Sequence, residues 1–362
     1  MRQTAQGYPN RASIGVRARS FGQPGRQAAA FMEALCTGAG MRQDPVGTKI
    51  KTDRGKQRMN YNQYSYPMPE EKKVRVITDT DAANEGDDQF AIVHTLLSSK
   101  FDNVAMIAAH FGTRHDHTMQ ESYEELERIF GKMGMDPAGV VLHGAPRALP
   151  DEKTPVDSEG ARKIIEEAMK DDPRHLYVTF LGPLTDLASA YLLEPAIAGR
   201  LTAIWIGGGT YPVGAPEFNL GNDVNAVNVV MASGIELWQV PKNVYEMMPV
   251  SMAELEYRVS RCGEIGKYLF DQLVECSLKP SSLHSAFRTG ETWVLGDSPA
   301  PGLILYEHRW EYDLIPAPRI SPEMTYIPGT GERKIRVYRR IDSRLILEDM
   351  YCKLALFAEK HQ

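Results

Sequence analysis

The chain of 362 residues has no apolar run of the roughly 20 residues that a membrane-spanning helix needs. It also lacks an excess of positive charge, and its net charge of −6 argues against non-specific binding to nucleic acid or acidic membranes. Cysteine is scarce, with neither the spacing of a zinc site nor the density of a disulfide framework. The four cysteines are Cys36, Cys262, Cys276 and Cys352. They fit a reducing compartment, and a cytoplasmic location is expected.

Residues 1–58 differ in composition from the rest of the chain. They hold eleven basic and three acidic residues, a net charge of +8, so the remaining residues sum to −14. We predict a disordered or non-native extension over 1–58 and a single domain over 59–362. Two explanations of the extension stay open. It resembles an Arg-rich organelle transit peptide, or translation starts at Met41 or Met59, which is the favoured explanation.

The most informative stretch runs from Val74 to Ala91 and reads VRVITDTDAANEGDDQFA. Its β-branched apolar start predicts a buried strand, and apolar residues at helical spacing follow from Phe90. Four acids lie between the strand and the helix: Asp79, Asp81, Asp87 and Asp88. They therefore stand at the carboxyl end of a strand and the amino end of a helix, where open α/β sheets bind ligands.

Four carboxylates at this spacing repel one another, and without compensation some would keep their protons at neutral pH. A hard divalent cation removes the repulsion, because Ca²⁺ and Mg²⁺ prefer oxygen ligands. The stretch therefore predicts a metal site. The alternative interpretation is a solvated acidic loop that caps the helix.

Strands and helices alternate along the rest of the chain. Strands are predicted from Val74 and over 104–109, 140–142, 176–181, 202–206 and 235–240, with helices over 119–133, 159–170, 182–193 and 223–233 between them. This order predicts an α/β fold with an open, mostly parallel, Rossmann-like sheet and helices on both faces. Residues 334–341 alternate charged and apolar side chains, which predicts an edge strand. The loop with His110, His115 and His117 is interpreted as a polar loop rather than a zinc site, since no matching Cys or His pair follows.

Several motifs occur together and in order. Asp79-Thr80-Asp81 and Asp87-Asp88 form a D-x-D and D-D pair, followed by Gly-Pro-Leu-Thr at 182–185, Gly-Gly-Gly at 207–209 and Glu-Phe-Asn at 217–219. With them the chain resembles the inosine–uridine-preferring nucleoside hydrolases from about Val74 to the end. The usual gap between the two acid motifs is three residues, whereas here it is five. The resemblance implies the nucleoside hydrolase fold and hydrolysis of a ribonucleoside to ribose and free base.

The resemblance also implies a role for each matching residue. Ca²⁺ would be bound by Asp81, Asp88, Asp297 and the carbonyl of Leu181, and Asp81 would be the general base towards a calcium-bound water. Asp87, Glu217 and Asn219 would bind the sugar hydroxyls, and Asp79 would support the site from behind the ligands. The expected partner is a small nucleoside, with no nucleic acid or membrane, and a homodimer or homotetramer is expected.

The chain departs from the family in the part that handles the leaving base. Many members have His or Trp just before the last metal-binding Asp, where this chain has Gly296. Candidates for leaving-group activation are therefore His110, His115, Trp293 and Tyr245. The asparagine that the family has after its second strand aligns near Thr113, so Thr113, Trp293 and His110 are the expected contacts to the rest of the substrate. The preferred base is not predicted.

Two other functions stay open. A calcium-dependent nucleoside- or ribose-binding protein without turnover would fit the loss of a side chain at Gly296. A haloacid-dehalogenase-like phosphatase also carries D-x-D after its first strand, but Ala82-Ala83-Asn84 fits its pattern poorly and Glu-Phe-Asn is unexplained by it.

Overall fold

Twelve strands alternate with helices along the part of the chain that the computed structural model describes, which is residues 61, 64–279, 290–306 and 310–361. The predicted extension over 1–58 lies outside these residues. The strands are β1 (Val74–Thr80), β2 (Phe101–Ala108), β3 (Val141–His143), β4 (Leu176–Phe180), β5 (Thr202–Ile206), β6 (Glu236–Val240), β7 (Pro249–Ser251), β8 (Thr292–Val294), β9 (Glu311–Pro316), β10 (Arg319–Ile320), β11 (Tyr326–Ile327) and β12 (Lys334–Arg340).

The helices that connect the strands agree in position with most of the predicted ones. They are α1 (Asp88–Leu96), α2 (Thr118–Lys132), α3 (Glu159–Met169), α4 (Thr185–Leu193), α5 (Phe218–Asn222), α6 (Val224–Ala232), α7 (Lys242–Tyr245), α8 (Met252–Arg258), α9 (Gly263–Leu278), α10 (Pro299–Leu305) and α11 (Ser343–Lys360). None of the helices in these ranges has the length and hydropathy that crossing a membrane requires.

Eight of the strands form the central sheet, in the order β3-β2-β1-β4-β5-β6-β12-β9. Neighbouring strands are parallel from β3 to β12, and only the last pair, β12 and β9, is antiparallel. The prediction of an open, mostly parallel sheet is confirmed.

Helices cover both faces of this sheet because its strands are apolar on both sides. In β5, Ile204 faces one apolar core and its neighbour Trp205 faces a second one, since successive side chains of a strand point to opposite faces. The first core is closed by residues of α1, α2, α9 and α11, and the second by residues of α3, α4 and α6. This two-sided burial is typical of parallel sheets.

The prediction of an edge strand over 334–341 is wrong. β12 lies between β6 and β9, so the edge strand on this side of the sheet is β9, which the sequence pattern had not indicated. The charged residues of β12 suggested an edge strand that faces solvent. One of them, Arg336, instead lies over the rings of Trp238 and Tyr312, at 4.0 and 4.2 Å from their centroids. Such cation–π contacts make a guanidinium tolerable on an inner strand.

The order of the strands also determines where a ligand can bind. The chain runs outward from β1 to β2 and β3 and then returns to β4 on the other side of β1. A crevice opens at such a switch point, outside the carboxyl ends of the strands. Thr80, Phe180 and Ile206 end the three strands at this edge, and the candidate site begins directly after them.

Candidate active site

A half-open cavity lies at the carboxyl edge of the sheet. It is lined by Asp81, Asn84, Glu85, Asp87, Asp88, Leu181, Ile206, Glu217, Phe218, Asn219, Tyr245, Trp293, Val294, Gly296 and Asp297. Most of the predicted site residues are therefore brought together here. None of the described residues that line the cavity is basic, so its acids have no cationic side chain among them.

Asp81 stands directly after β1, against the backbone of the loop that follows β4. The two strands are paired, and the amide of Leu181 donates to the carbonyl of Asp79 at 2.9 Å, which holds the two loops together. A Cβ atom on Gly182 would lie 3.1 Å from the Asp81 carboxyl carbon, so the backbone packs closely against this side chain. The Oδ2 atom of Asp81 is buried and has no hydrogen-bond partner.

Asp87, Asp88 and Asp297 form a buried cluster in which the ligand atoms all lie within 4.8 Å of one another. Asp87 and Asp88 begin α1, after a five-residue loop over 82–86. Asp297 comes from the other end of the chain and follows β8. The hydroxyl of Thr80 donates to Oδ1 of Asp88 at 2.5 Å, which ties the cluster to the end of β1.

Burial, and after it the repulsion among these acids, shifts their pKa values. Burial and the neighbouring carboxylates raise the pKa values of Asp81, Asp87 and Asp297 well above the usual range. Burial raises the pKa of Asp88 to about 7, against the opposing effect of the Thr80 hydroxyl. Without a cation, the burial and repulsion of these acids therefore favour their protonated forms.

This donor set fits a hard divalent cation. It consists of carboxylate oxygens, one of them without a partner, together with the carbonyl of Leu181 at the cavity wall. Calcium takes such oxygen ligands, and its charge would favour the ionised form of every acid in the cluster. The cluster Asp87, Asp88 and Asp297 can thus hold a metal ion.

Glu217 and Asn219 lie at the start of α5, on the far wall of the cavity. The Glu217 carboxylate caps this helix by accepting from the amides of Asn219 and Leu220, at 3.2 and 2.9 Å. The side-chain amide of Asn219 donates to the carbonyls of Leu181 and Ile206, at 3.0 and 2.8 Å. Asn219 therefore links the ends of β4 and β5 and orients the Leu181 carbonyl.

Asp79 lies behind the cavity and does not line it. Burial, and then the neighbouring Asp186, raise the pKa of Asp79 well above its usual range. Asp186 is in turn held by the Ala145 amide, at 3.0 and 3.1 Å, and by the Ser158 hydroxyl. Both carboxyl oxygens of Asp79 are buried without a hydrogen-bond partner among the described residues, so the supporting role of Asp79 stays a prediction.

His110 and Thr113 are not among the cavity-lining residues. Thr113 is exposed, whereas His110 is fully buried. The amide of Gly112 donates to Nδ1 of His110 at 3.2 Å, so the ring proton is on Nε2 and is donated to the Thr185 hydroxyl at 2.9 Å. Thr185 in turn donates to Asp223 at 2.8 Å. His110 is therefore part of a buried chain of hydrogen bonds that runs from Gly112 through Thr185 to Asp223.

The buried position of His110 leads to a prediction about acid stability. Burial lowers the pKa of His110 to about 4, so below pH ~6.5 the unfolded chain binds a proton that the folded protein does not bind. Stability must then fall as the pH falls. Between pH 7 and 5 we expect the wild type to lose about 2 kcal/mol more than His110→Gln in urea unfolding. Equal losses would show that the imidazole is charged in the folded state.

The sequence analysis gave no role to several residues that line the cavity. Glu85 was visible in the acid loop, and Phe218 lies between two residues that were predicted. Arg114 contacts two of the lining residues: it donates to Asn84 at 2.8 Å, and its guanidinium lies 4.2 Å from the centroid of the Phe218 ring. The sequence pattern could not indicate these contacts, because Arg114 lies in a loop, where hydrophobic periodicity does not predict the position of a side chain.

The model of the inosine-uridine preferring nucleoside hydrolase family matches residues 76–315, about two thirds of the chain. This chain belongs to the inosine-uridine preferring nucleoside hydrolase family. Solved structures of nucleoside hydrolases share the fold of this chain. A plant nucleoside hydrolase, the PpNRh1 enzyme, has 19% identity and a TM-score of 0.62 over 78% of this chain and 99% of its own. A purine-preferring ribonucleoside hydrolase from Gardnerella vaginalis has 16% identity and a TM-score of 0.65, over 79% and 99%.

Curated proteins named as nucleosidases or ribonucleoside hydrolases match over shorter stretches. The protein named "Probable uridine nucleosidase 2" from Arabidopsis thaliana is 29% identical over 33% of this chain and 38% of its own length. The pyrimidine-specific ribonucleoside hydrolase RihB of Escherichia coli is 27% identical over 42% of this chain and 47% of its own length. The matched stretches thus span less than half of these relatives.

Proposed function

We propose that this protein hydrolyses the N-glycosidic bond of a ribonucleoside and releases ribose and the free base. One observation carries the proposal: four buried aspartates of this domain line one cavity at the carboxyl edge of the sheet. Three of them follow the first strand, and the fourth lies more than two hundred residues further along the chain. These are Asp81, Asp87, Asp88 and Asp297. An anionic cavity suits the reaction, because the sugar develops oxocarbenium character in the transition state.

The cation proposed for this site is Ca²⁺, held by Asp81, Asp88, Asp297 and the Leu181 carbonyl. When bound, it would lower the pKa of a water molecule in the site. Asp81 is the proposed general base, because its buried Oδ2 has no protein partner and can accept the proton of the attacking water. Asp87 is proposed to accept from the sugar hydroxyls, since it lines the cavity beside Gly296.

The sugar requirement tests this function. We would measure reducing sugar and free base from purine and pyrimidine ribonucleosides, the matching 2′-deoxyribonucleosides and the 5′-nucleotides. The proposal expects ribonucleosides to react fastest and nucleotides to react poorly, because the carboxylates that line the cavity repel a phosphate. Release of phosphate instead would indicate a phosphatase, and tight binding without product would indicate a binding protein.

Trp293 is the candidate for contact with the leaving base. It lies in β8, is buried and lines the cavity. An aromatic face that stacks on a heterocycle contributes about 0.5–1.5 kcal/mol beyond area burial, or roughly two- to tenfold in rate. We therefore expect Trp293→Leu to slow nucleosides two- to tenfold more than p-nitrophenyl riboside, whose leaving group needs no activation.

A buried tryptophan outside the cavity provides the control for this experiment. Trp238 in β6 is as buried as Trp293 but does not line the cavity. Trp238→Leu should therefore change both substrates equally, if at all. If Trp293→Leu also slowed both substrates by one factor, its role would be the shape of the site and not the leaving base.

A further inference from the structure

The acid loop, residues 82–86 between the two acid motifs, is held at each end by the side-chain amide of a glutamine. At its start, Nε2 of Gln89 donates to the carbonyl of Ala82 at 2.7 Å. At its end, Nε2 of Gln272 donates to the carbonyl of Gly86 at 2.8 Å. Gln89 lies in α1, directly after the loop, whereas Gln272 lies in α9 and follows Gly86 by 186 residues. The loop is therefore tied to a distant helix.

The end of the acid loop lies directly against α9. A Cβ atom on Gly86 would lie 2.7 Å from Cδ1 of Leu273 and 3.5 Å from its Cα atom, so the backbone of the loop packs closely on the helix. Leu273 is fully buried, as is Leu269 one turn earlier, and both belong to the first apolar core. Because its inner face is fixed by this close-packed core, α9 is a firm support for the loop.

The orientation of the Gln272 amide follows from its two partners. Besides the carbonyl of Gly86, its Nε2 atom contacts the carbonyl of Leu269 within α9, at 3.2 Å. A carbonyl oxygen only accepts hydrogen bonds, so the NH2 group of Gln272, and not its amide oxygen, must face both partners. One amide group thus joins the helix to the last residue of the loop.

The residue that Gln272 holds directly precedes the acid cluster. Gly86 is followed by Asp87 and Asp88, which form the buried cluster with Asp297. Ionised carboxylates at this spacing repel one another, so a movement of the loop away from the cluster would relieve repulsion in the metal-free protein. The hydrogen bond from Gln272 opposes this movement, because it fixes the end of the loop to a helix that is held by the core.

We propose that Gln272 is a positioning residue for the metal site, which keeps Asp87 and Asp88 in the conformation that binds Ca²⁺. With the end of the loop already fixed in the metal-free protein, less conformational entropy is lost when the cation binds. Replacing a group that orients metal ligands typically costs roughly 10–100-fold in metal affinity. This inference rests on the proposed function, since it takes Ca²⁺ as the ion of that site.

Calcium titrations of chelator-treated protein test the inference without any turnover. Gln272→Met keeps the length and helix propensity of the side chain but removes the donor, and the variant should fold because the position is only partly buried. We would measure the Kd of Ca²⁺ by calorimetry, and the melting temperature without metal, for the wild type and Gln272→Met. The Kd should rise at least about tenfold. The metal-free melting temperature should fall by no more than the few degrees that one hydrogen bond accounts for.

The two readouts distinguish positioning from a purely structural role. If Gln272 only joined the loop to the helix, Gln272→Met would lower the melting temperature and leave the Kd of Ca²⁺ unchanged. An unchanged Kd would therefore overturn the inference, whatever the melting temperature.

Asn225 provides a matched control. It is also partly buried, and its side-chain amide also donates to a distant backbone carbonyl, that of Leu149 at 3.0 Å. The segment around Leu149, however, contributes no residue to the cavity. Asn225→Leu should leave the Kd of Ca²⁺ within about twofold of the wild type. If Asn225→Leu raised the Kd as much as Gln272→Met, the effect would come from lost stability, and the inference would fail.

The titration also separates this inference from the proposed function. A wild type that binds Ca²⁺ but releases no base from nucleosides would contradict the proposed hydrolysis, while the comparison of Kd values would still decide the role of Gln272. A wild type that hydrolyses nucleosides, with a Kd that Gln272→Met does not change, would support the proposed function and overturn the inference. A wild type that binds no Ca²⁺ would overturn the inference together with the proposed ion.

Discussion

Asp81→Asn should lower kcat by at least 10²–10⁴-fold, because an amide cannot take the proton of the attacking water. The protein should nevertheless fold. The Asp81 carboxyl is buried among other acids that raise its pKa, and its Oδ2 atom has no partner, so a neutral amide removes repulsion. We therefore expect the melting temperature of the cation-free variant to equal or exceed that of the wild type. A variant that keeps near-normal kcat would show that the base is another group.

A buried aspartate at the opposite edge of the sheet is the control for Asp81. Asp102 lies near the start of β2 and forms an ion pair with Arg174 at 2.6 Å. Asp102→Asn removes a partner of this pair, so it should lower the melting temperature. Its kcat should stay within about twofold of the wild type, since it lies far from the reacting atoms along the strand.

Removal and return of calcium should change the stability of the protein strongly. A ligand that binds only the folded state adds about 2.7 kcal/mol at 100 times its Kd. For a domain of this size that is a rise of about 5–10 °C in melting temperature. We expect chelator-treated protein to lose activity and to recover both activity and melting temperature with Ca²⁺. Recovery with Zn²⁺ but not Ca²⁺ would contradict the proposed ion.

The aspartate that reaches the cluster from the far end of the chain should be required for this effect. Asp297 lies in the cluster with Asp87 and Asp88. Asp297→Asn should therefore abolish most of the calcium-induced rise in melting temperature. Asp313→Asn, at a half-exposed position paired with Arg339, should leave the rise unchanged.

The sequence predicted the sheet and its site-bearing edge because the relevant signals are local. The alternation of strands and helices and the acids after Val74 can be read within windows of about twenty residues. Asp297 could not be found in this way, since it joins the cluster from more than two hundred residues away. Only the resemblance to a family indicated it.

The parts of the structure that the sequence did not predict depend on tertiary contacts. With β12 inside and β9 outside, Arg336 packs on a ring from each neighbouring strand, Trp238 of β6 and Tyr312 of β9. The ring of Tyr245 beside Gly296 depends on two loops that meet, and a sequence pattern carries no signal for such a meeting. The hydrogen bond between the buried His110 and Thr185 likewise joins distant segments of the chain.

The most direct test of the proposed function is a product analysis. A ribonucleoside is incubated with the calcium-loaded protein in phosphate-free buffer, and free base, ribose and remaining nucleoside are quantified by mass spectrometry. We predict equal molar amounts of base and ribose, formed over many turnovers. Unchanged nucleoside, or products that appear only when phosphate is added, would contradict the proposal that water cleaves the N-glycosidic bond in this cavity.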